Sequence, residues 1–107
     1  MATSKEYLNF VLEQLSALSD VSYRPMMGEY VVYYRGKVIG GLYDGRFLIK
    51  PTPSVLKMLP DAPEEIPYEG AKKMIMPDLD DRESLCAVIE AMEKELPEPK
   101  PKIKKIK

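Results

Sequence analysis

The sequence predicts an α+β domain in which helices pack on one face of a mainly antiparallel sheet of about five strands, in the order α-β-β-β-β-α-β-α. Three observations carry that reading. The stretch from Arg24 to Thr52, RPMMGEYVVYYRGKVIGGLYDGRFLIKPT, is the part of the chain densest in β-branched and aromatic residues. Within it, Asp44-Gly45 stands between the apolar runs Val38 to Tyr43 and Phe47 to Ile49. A type I′ hairpin turn needs positive φ at both central positions and so favours such a pair; Arg35-Gly36 is a weaker second signal of the same kind. On either side of this meander, apolar residues recur at three- and four-residue spacing, the period of a helix with one buried face.

In chain order, a first helix is expected from Ser4 to Leu18, opened by Thr3 and Glu6 in the T-x-x-E relation of a capping box. Tyr7, Leu8, Val11, Leu15 and Leu18 form its apolar stripe. Ser19-Asp20 breaks the pattern, and Val21 to Met26 follows as a strand with Val21 and Tyr23 on a buried face. Gly28 makes a tight connection into Glu29 to Tyr34, whose unbroken Val31-Val32-Tyr33-Tyr34 run predicts contact on both faces. Gly40-Gly41 lies inside the next strand, with no helix directly after it to cradle a phosphate, so a bulge or a close backbone approach is the expected reason. Thr52-Pro53 sets a capping hydroxyl before a proline at the first helical position, opening a short helix to about Leu59 that Pro60 ends.

The acidic, proline-rich DAPEEIPYEG that follows reads as a mobile or partner-contacting loop. Lys72 to Met76 suits a short edge strand closed by Pro77. Asp80 and Glu83 open a third helix in the looser D-x-x-E spacing, with Leu85, Val88, Ile89, Met92 and Leu96 on its apolar face and Pro97 as its stop.

At 107 residues, 45% hydrophobic and 31% charged, the chain fits one domain over residues 1–96 with a core of its own. Residues 97–107, PEPKPKIKKIK, hold too little apolar area to offset the cost of ordering and are expected to form a flexible tail. That tail carries five lysines against one glutamate, a net +4, so the overall −1 leaves residues 1–96 at −5. An acidic body argues against a domain-wide nucleic-acid surface. No apolar run approaches the roughly 20 residues of a membrane span, and no secretory leader pattern opens the chain, so a cytoplasmic protein with no membrane partner is expected.

Chemistry-bearing residues are few. There is no histidine, which removes the commonest general base and metal ligand, and Cys86 is a single cysteine in an apolar helical stripe with no cation close by in sequence. Glu64-Glu65 falls in the acidic loop and Asp80-Asp81 at a helix start, where carboxylates serve solvation and capping. No catalytic residue, metal ligand or cofactor site is assigned, and the protein is read as a non-enzyme. The tyrosines are more informative, because Tyr30, Tyr33, Tyr34 and Tyr43 must divide between the two faces of the sheet. Rings on the face without helices would pack across strands, build an interface, or, interleaved with Arg35, Lys37, Arg46 and Lys50, stack bases.

With those residues in view, the chain resembles the N-terminal domain family of TfoX, the regulator of competence development. The resemblance covers about Ser4 to Leu96. It rests on an N-terminal helix of the EYLNFVLEQLSAL kind, then Val21-x-Tyr23-Arg24-x-Met26-x-Gly28, Tyr33-Tyr34-x-Gly36-Lys37 and Phe47-Leu48-Ile49-Lys50-Pro51-Thr52. Position 27, usually aromatic in the family, is Met27 here, expected to keep the burial with looser geometry. The resemblance implies helices over a curved antiparallel sheet, a homodimer and no established catalytic activity. In regulators of the family a helical C-terminal domain follows, where this sequence has its lysine-rich segment.

Arg24, Met26, Gly28, Tyr34 and Lys50 match the family pattern, and Arg24, Met27, Gly28, Glu29, Tyr30, Tyr34 and Lys50 are the candidate interaction residues. The plainer reading of Arg24 and Lys50 is a buried stem with a solvated head or a salt bridge to Glu29. The leading expectation is a self-associating interaction or regulatory domain, with an unidentified protein as a further partner. The alternatives are weak nucleic-acid binding through Lys100, Lys102, Lys104, Lys105 and Lys107, and a small-ligand or enzymatic site under the Asp61 to Gly70 loop.

Overall fold

The meander predicted between Arg24 and Thr52 is the scaffold of the fold. A computed structural model describes residues 4–27 and 29–96. In chain order it has α1 (Lys5–Gln14), β1 (Val21–Met26), β2 (Glu29–Tyr34), β3 (Lys37–Tyr43), β4 (Arg46–Ile49), α2 (Pro53–Met58), β5 (Glu64–Glu65), β6 (Met74–Ile75) and α3 (Arg82–Glu93). The strands form one antiparallel sheet in the order β1-β2-β3-β4-β6-β5. The expected class and element order hold. The sixth strand is the two-residue β5, which lies inside the acidic loop and pairs with β6.

Both turn signals are realised. Tyr34 pairs with Lys37 and Tyr43 with Arg46 across two-residue connections, with φ of +55° and +79° at Arg35 and Gly36 and +53° and +74° at Asp44 and Gly45. These are the all-positive central positions that a right-twisted hairpin demands.

One departure from simple pleating decides which residues face the helices. Tyr33 pairs with Val38 while Val32 pairs with Gly40, so Ile39 is an extra residue on β3. Lys37 before the bulge, Ile39 at it and Leu42 after it are all buried. Without the extra residue Leu42 would turn to the opposite side. Glycine is required beside it, since a Cβ at Gly40 would lie 2.0 Å from the Leu48 carbonyl oxygen and 2.8 Å from Ile49 Cα.

The core lies between this face and the helices. Leu8, Val11, Leu15 and Leu18 from the first helical segment, Val55 from α2, and Leu85, Val88, Ile89, Met92 and Leu96 from the last pack on Val32, Tyr34, Ile39, Leu42, Phe47, Ile49 and Ile75. Long-range polar contacts fix the helices in place. The Tyr7 hydroxyl accepts the Phe47 N–H at 3.1 Å, Arg82 Nη2 donates to the Glu13 carbonyl at 2.6 Å, and Lys37 Nζ donates to the Glu93 carbonyl at 2.9 Å.

Several local expectations are corrected. The helical run to Leu18 ends as α-helix at Gln14, beyond which Ser16 and Leu18 donate to carbonyls only three residues back, in the tighter form common at helix ends. Leu15 and Leu18 are buried all the same. The cap is Ser4, whose hydroxyl accepts the Tyr7 N–H at 3.1 Å, one residue after the expected Thr3, which lies outside the described residues. In α3 the cap is likewise one residue later, Asp81 rather than Asp80, with its carboxylate accepting the Ser84 N–H. Val21 to Met26 is exposed after its first residue, because it is the edge strand and the helices do not reach over it.

Thr52 caps α2 as expected, and a second group joins it. Glu95, just past α3, accepts from Ser54 Oγ at 2.6 Å and from the Ser54 N–H at 3.0 Å. These bonds, the hydroxyl's first, hold the Glu95 carboxyl below its ordinary pKa. A depressed folded-state pKa gives stability that is complete above the unfolded value and lost as pH falls through the folded one.

The Ser54→Ala variant should therefore unfold more readily than wild type at neutral pH, with the gap narrowing below roughly pH 4. Thermal melts across that range check this, and a gap that stays constant on acidification contradicts it. Separately, Gly40→Ala should cost about 2 to 3 kcal/mol in urea unfolding. Gly45→Ala, with nothing within 4 Å of its Cβ but φ of +74°, should cost only about 1 kcal/mol. Equal losses would show that the Leu48 contact does not constrain position 40.

Candidate functional site

The face of the sheet away from the helices is divided in two. Over β3, β4 and β6 it is covered by the chain's own segment 66–73. Leu48 is fully buried on this side, outside the helix-facing core. Its cover is held by Arg46, whose Nη1 meets Glu65 Oε1 at 2.9 Å while Nη2 donates to the Ile66 and Pro67 carbonyls at 3.3 and 3.5 Å and Nε to the Tyr43 carbonyl at 3.2 Å. Tyr68 then packs on Tyr43, ring centroids 6.0 Å apart. The acidic loop is thus a pinned cover. Its sequence hides this because the anchoring cation lies about twenty residues earlier.

Over β1 and β2 the same face has no such cover among the described residues. Arg24, Met26, Glu29, Val31 and Tyr33 share it by alternation, with Met26 half exposed. At the hairpin tip, Met27 has φ of +51° and is 98% exposed. This corrects the expectation that Met27 takes over the burial of an aromatic residue: at the tip of an edge hairpin there is nothing within the chain to bury it. The tip is fixed from the side by Glu29, whose two carboxylate oxygens each lie 3.2 Å from the Asp44 N–H, tying one hairpin to the other.

The candidate residues fall into separate groups. Arg24, Met27 and Glu29 come together at the β1–β2 hairpin, and Gly28 belongs to the same turn in sequence but lies outside the described residues. Tyr30 faces the helix side, half-buried, with Tyr23 edge-on to it at 5.7 Å. Tyr34 is buried in the core, so its ring presents no surface for a partner. Lys50 stands at the other end of the sheet, beside Tyr43 and Tyr68. Lys100, Lys102, Lys104, Lys105 and Lys107 lie outside the described residues.

The base-stacking arrangement loses two of its four cations. Lys37, 6% exposed, is spent on Glu93 (Nζ to Oε2, 3.0 Å), Arg46 is spent on the 65–67 segment, and Arg35 lies 5.8 Å over its neighbour's ring at Tyr34.

The groups considered for catalysis have structural occupations. Asp81 caps α3, Glu65 holds Arg46, and Glu64 lies 3.7 Å from Lys73. Cys86 is half-buried with Sγ 3.8 Å from the Gln14 carbonyl, and burial, reinforced by Glu90, pushes its thiol up in pKa. A cation is present after all, Arg82 one turn earlier on α3, but its lowering effect is the smallest of the three. Among the described residues no three His, Cys, Asp or Glu side chains gather as a metal site would need, and no helix is long and apolar enough to cross a membrane.

Residues 13–94 match the family described as the TfoX N-terminal domain. An uncharacterized 12.7 kDa protein in the trpE 5′ region of Spirochaeta aurantia is 33% identical over 109 residues, an alignment covering 100% of this chain and 95% of that protein. No solved structure matches the chain.

Arg46→Met should free the 66–70 cover without unfolding the sheet. The Ala71 amide, which donates to the Tyr68 carbonyl at 3.0 Å, should exchange about five- to tenfold faster while those of β2 and β3 hold their protection, as measured by hydrogen exchange. Uniform loss of protection would show that Arg46 supports the whole fold rather than this segment.

Proposed function

The chain belongs to the TfoX N-terminal domain family, and from that premise we propose that it is a non-enzymatic, cytoplasmic interaction domain that pairs with a second copy of itself through the β1–β2 hairpin. The observation that carries this is the placement of Met26 and Met27 on the uncovered half of the sheet, exposed beside Val31 and Tyr33. Burying a methionine side chain is worth roughly 1.5 to 3 kcal/mol, so two of them at one hairpin tip are a large unrealised gain. Scattered exposed apolar residues are ordinary; adjacent ones on a sheet face with no cover are the pattern of a contact surface.

A second copy fits this surface better than an arbitrary partner does. Arg24 and Glu29 lie on the same face, giving the patch one charge of each sign, which a two-fold axis can match against itself. β1 is also an edge strand, and its outer side has no neighbour among the described residues. Pro25 in that strand lacks an N–H and limits pairing by backbone alone. The side chains of the hairpin, rather than a continued sheet, would therefore supply most of the contact.

Light scattering over a concentration series tests the pairing. Wild type should be a dimer at tens of micromolar, and the Met26→Asp, Met27→Asp double variant a folded monomer with at least about tenfold weaker association. A wild-type protein that stays strictly monomeric overturns the reading.

A further inference from the structure

The covered half of the sheet holds a feature that self-association does not use. Between the sheet and residues 67–74 lies a cleft of about 350 Å³. Tyr43, Pro67, Tyr68 and Met74 make its walls apolar and largely aromatic, and Lys50, Lys72 and Lys73 line it as well. Three cations on one small apolar cleft run against the charge of a body that is −5 over residues 1–96. Their charge is largely uncommitted: among the described residues Lys50 and Lys72 have no carboxylate partner, and Lys73 has only Glu64 at 3.7 Å, both side chains well exposed.

The cleft is also built rather than incidental. Gly41 lies beneath the Tyr43 ring: a Cβ there would stand 2.6 Å from the Tyr30 carbonyl oxygen and 2.8 Å from Cζ and the hydroxyl oxygen of Tyr43, so the ring lies against the sheet only over a glycine. Tyr68 then packs against the ring, and Arg46 holds the strand-to-loop connection from below. Burial raises the Tyr43 phenol's pKa, with Tyr68 and Glu29 adding to it, so its O–H remains a neutral donor at physiological pH. A volume of this size is at the small end of the roughly 300 to 1,000 Å³ typical of ligand sites, enough for one or two rings.

We propose that this cleft binds a small amphipathic anion, a flat aromatic body bearing one acid group, with the rings on the Tyr43–Tyr68–Met74 wall and the acid group on Lys50 and Lys72. Apolar contact supplies affinity, and the charge-assisted hydrogen bonds of the ammoniums supply the preference for an anion.

The molecule contains its own control. A larger cleft of about 600 Å³ lies on the helix side, lined by Tyr7, Phe47 and Leu59 but carrying Asp61 and Asp78 and no cation. It is suited to apolar ligands and opposes anions.

The test uses the full chain and two fluorescent probes of matched shape, anilinonaphthalene sulfonate and its uncharged counterpart N-phenylnaphthylamine. The sulfonate should saturate at one per chain, weaken as salt is added, and lose roughly tenfold in affinity in the Lys50→Gln, Lys72→Gln double variant, while the uncharged probe is unaffected. Amide shifts on adding the sulfonate to wild type should centre on Gly41 to Arg46 and Tyr68 to Met74, a mapping that decides the matter even if the variant folds poorly. Unchanged sulfonate affinity in a folded variant, or shifts centred on Tyr7, Leu59 and Asp61, would overturn the assignment.

Discussion

The bulge at Ile39 is the constraint on which the remaining architecture depends. A strand alternates its side chains between faces, and β3 has to put Lys37 and Ile39 on the helix side and then Leu42, three residues on, on that same side. One inserted residue satisfies both demands. It is tolerated only because residue 40 has no side chain where the Leu48 carbonyl passes. The cost of a side chain there would be a displaced β4, and with it Phe47 and Ile49, which are core residues, and Leu48, which seals the other face. Gly41 performs the matching service on that face by admitting the Tyr43 ring.

The helices are then held at their ends by charges from elsewhere in the chain. Neither α1 nor α3 has a basic residue in its last turn, although a cation there is favoured by the partial negative charge of the terminal carbonyls. Arg82 from the start of α3 reaches the Glu13 carbonyl of α1, and Lys37 from β3 reaches the Glu93 carbonyl of α3. Glu95 reciprocates by receiving the first N–H of α2, that of Ser54. Each contact joins elements far apart in sequence, so the ends of the helices become cross-links. Lys37 is the buried member of this set, and its ammonium is balanced by Glu93 Oε2 as well as by the carbonyl.

The division of the back face follows from where the chain has material to spare. After α2 the chain forms β5, passes through 66–73 to β6 between β5 and β4, and only then reaches α3, so its spare length falls over that half of the sheet. Over the β1–β2 half no described residue forms such a cover. One face therefore carries two kinds of surface: a cleft between tyrosines with lysines on it, closed by an Arg46-held cover, and an open hairpin with methionines at its tip.

How much of this was legible in the sequence depended on the range over which each feature is decided. Turn chemistry and helix periodicity are set by a few neighbouring residues, so Asp44-Gly45, Arg35-Gly36, the Thr52-Pro53 helix start and the stripe from Leu85 to Leu96 could be read directly. The caps at Ser4 and Asp81 each stand one residue past the Thr3 and Asp80 that the spacing favours, because adjacent polar residues offer equivalent oxygens and only the backbone's entry angle chooses between them. Exposure is not a local property. Met27 looked like a core substitute and β1 like a half-buried strand, since apolar identity does not say whether another element passes overhead. Lys37, Arg46 and Lys50 looked alike as strand cations. Their partners lie 56 residues on for Lys37 and 19 for Arg46, while Lys50 lines the cleft. The sequence alone determined the class, the order of elements and the two hairpins, because those are local free-energy choices. The tertiary structure decided which cations are spent, which face is covered and where apolar surface remains, because burial belongs to pairs of distant segments.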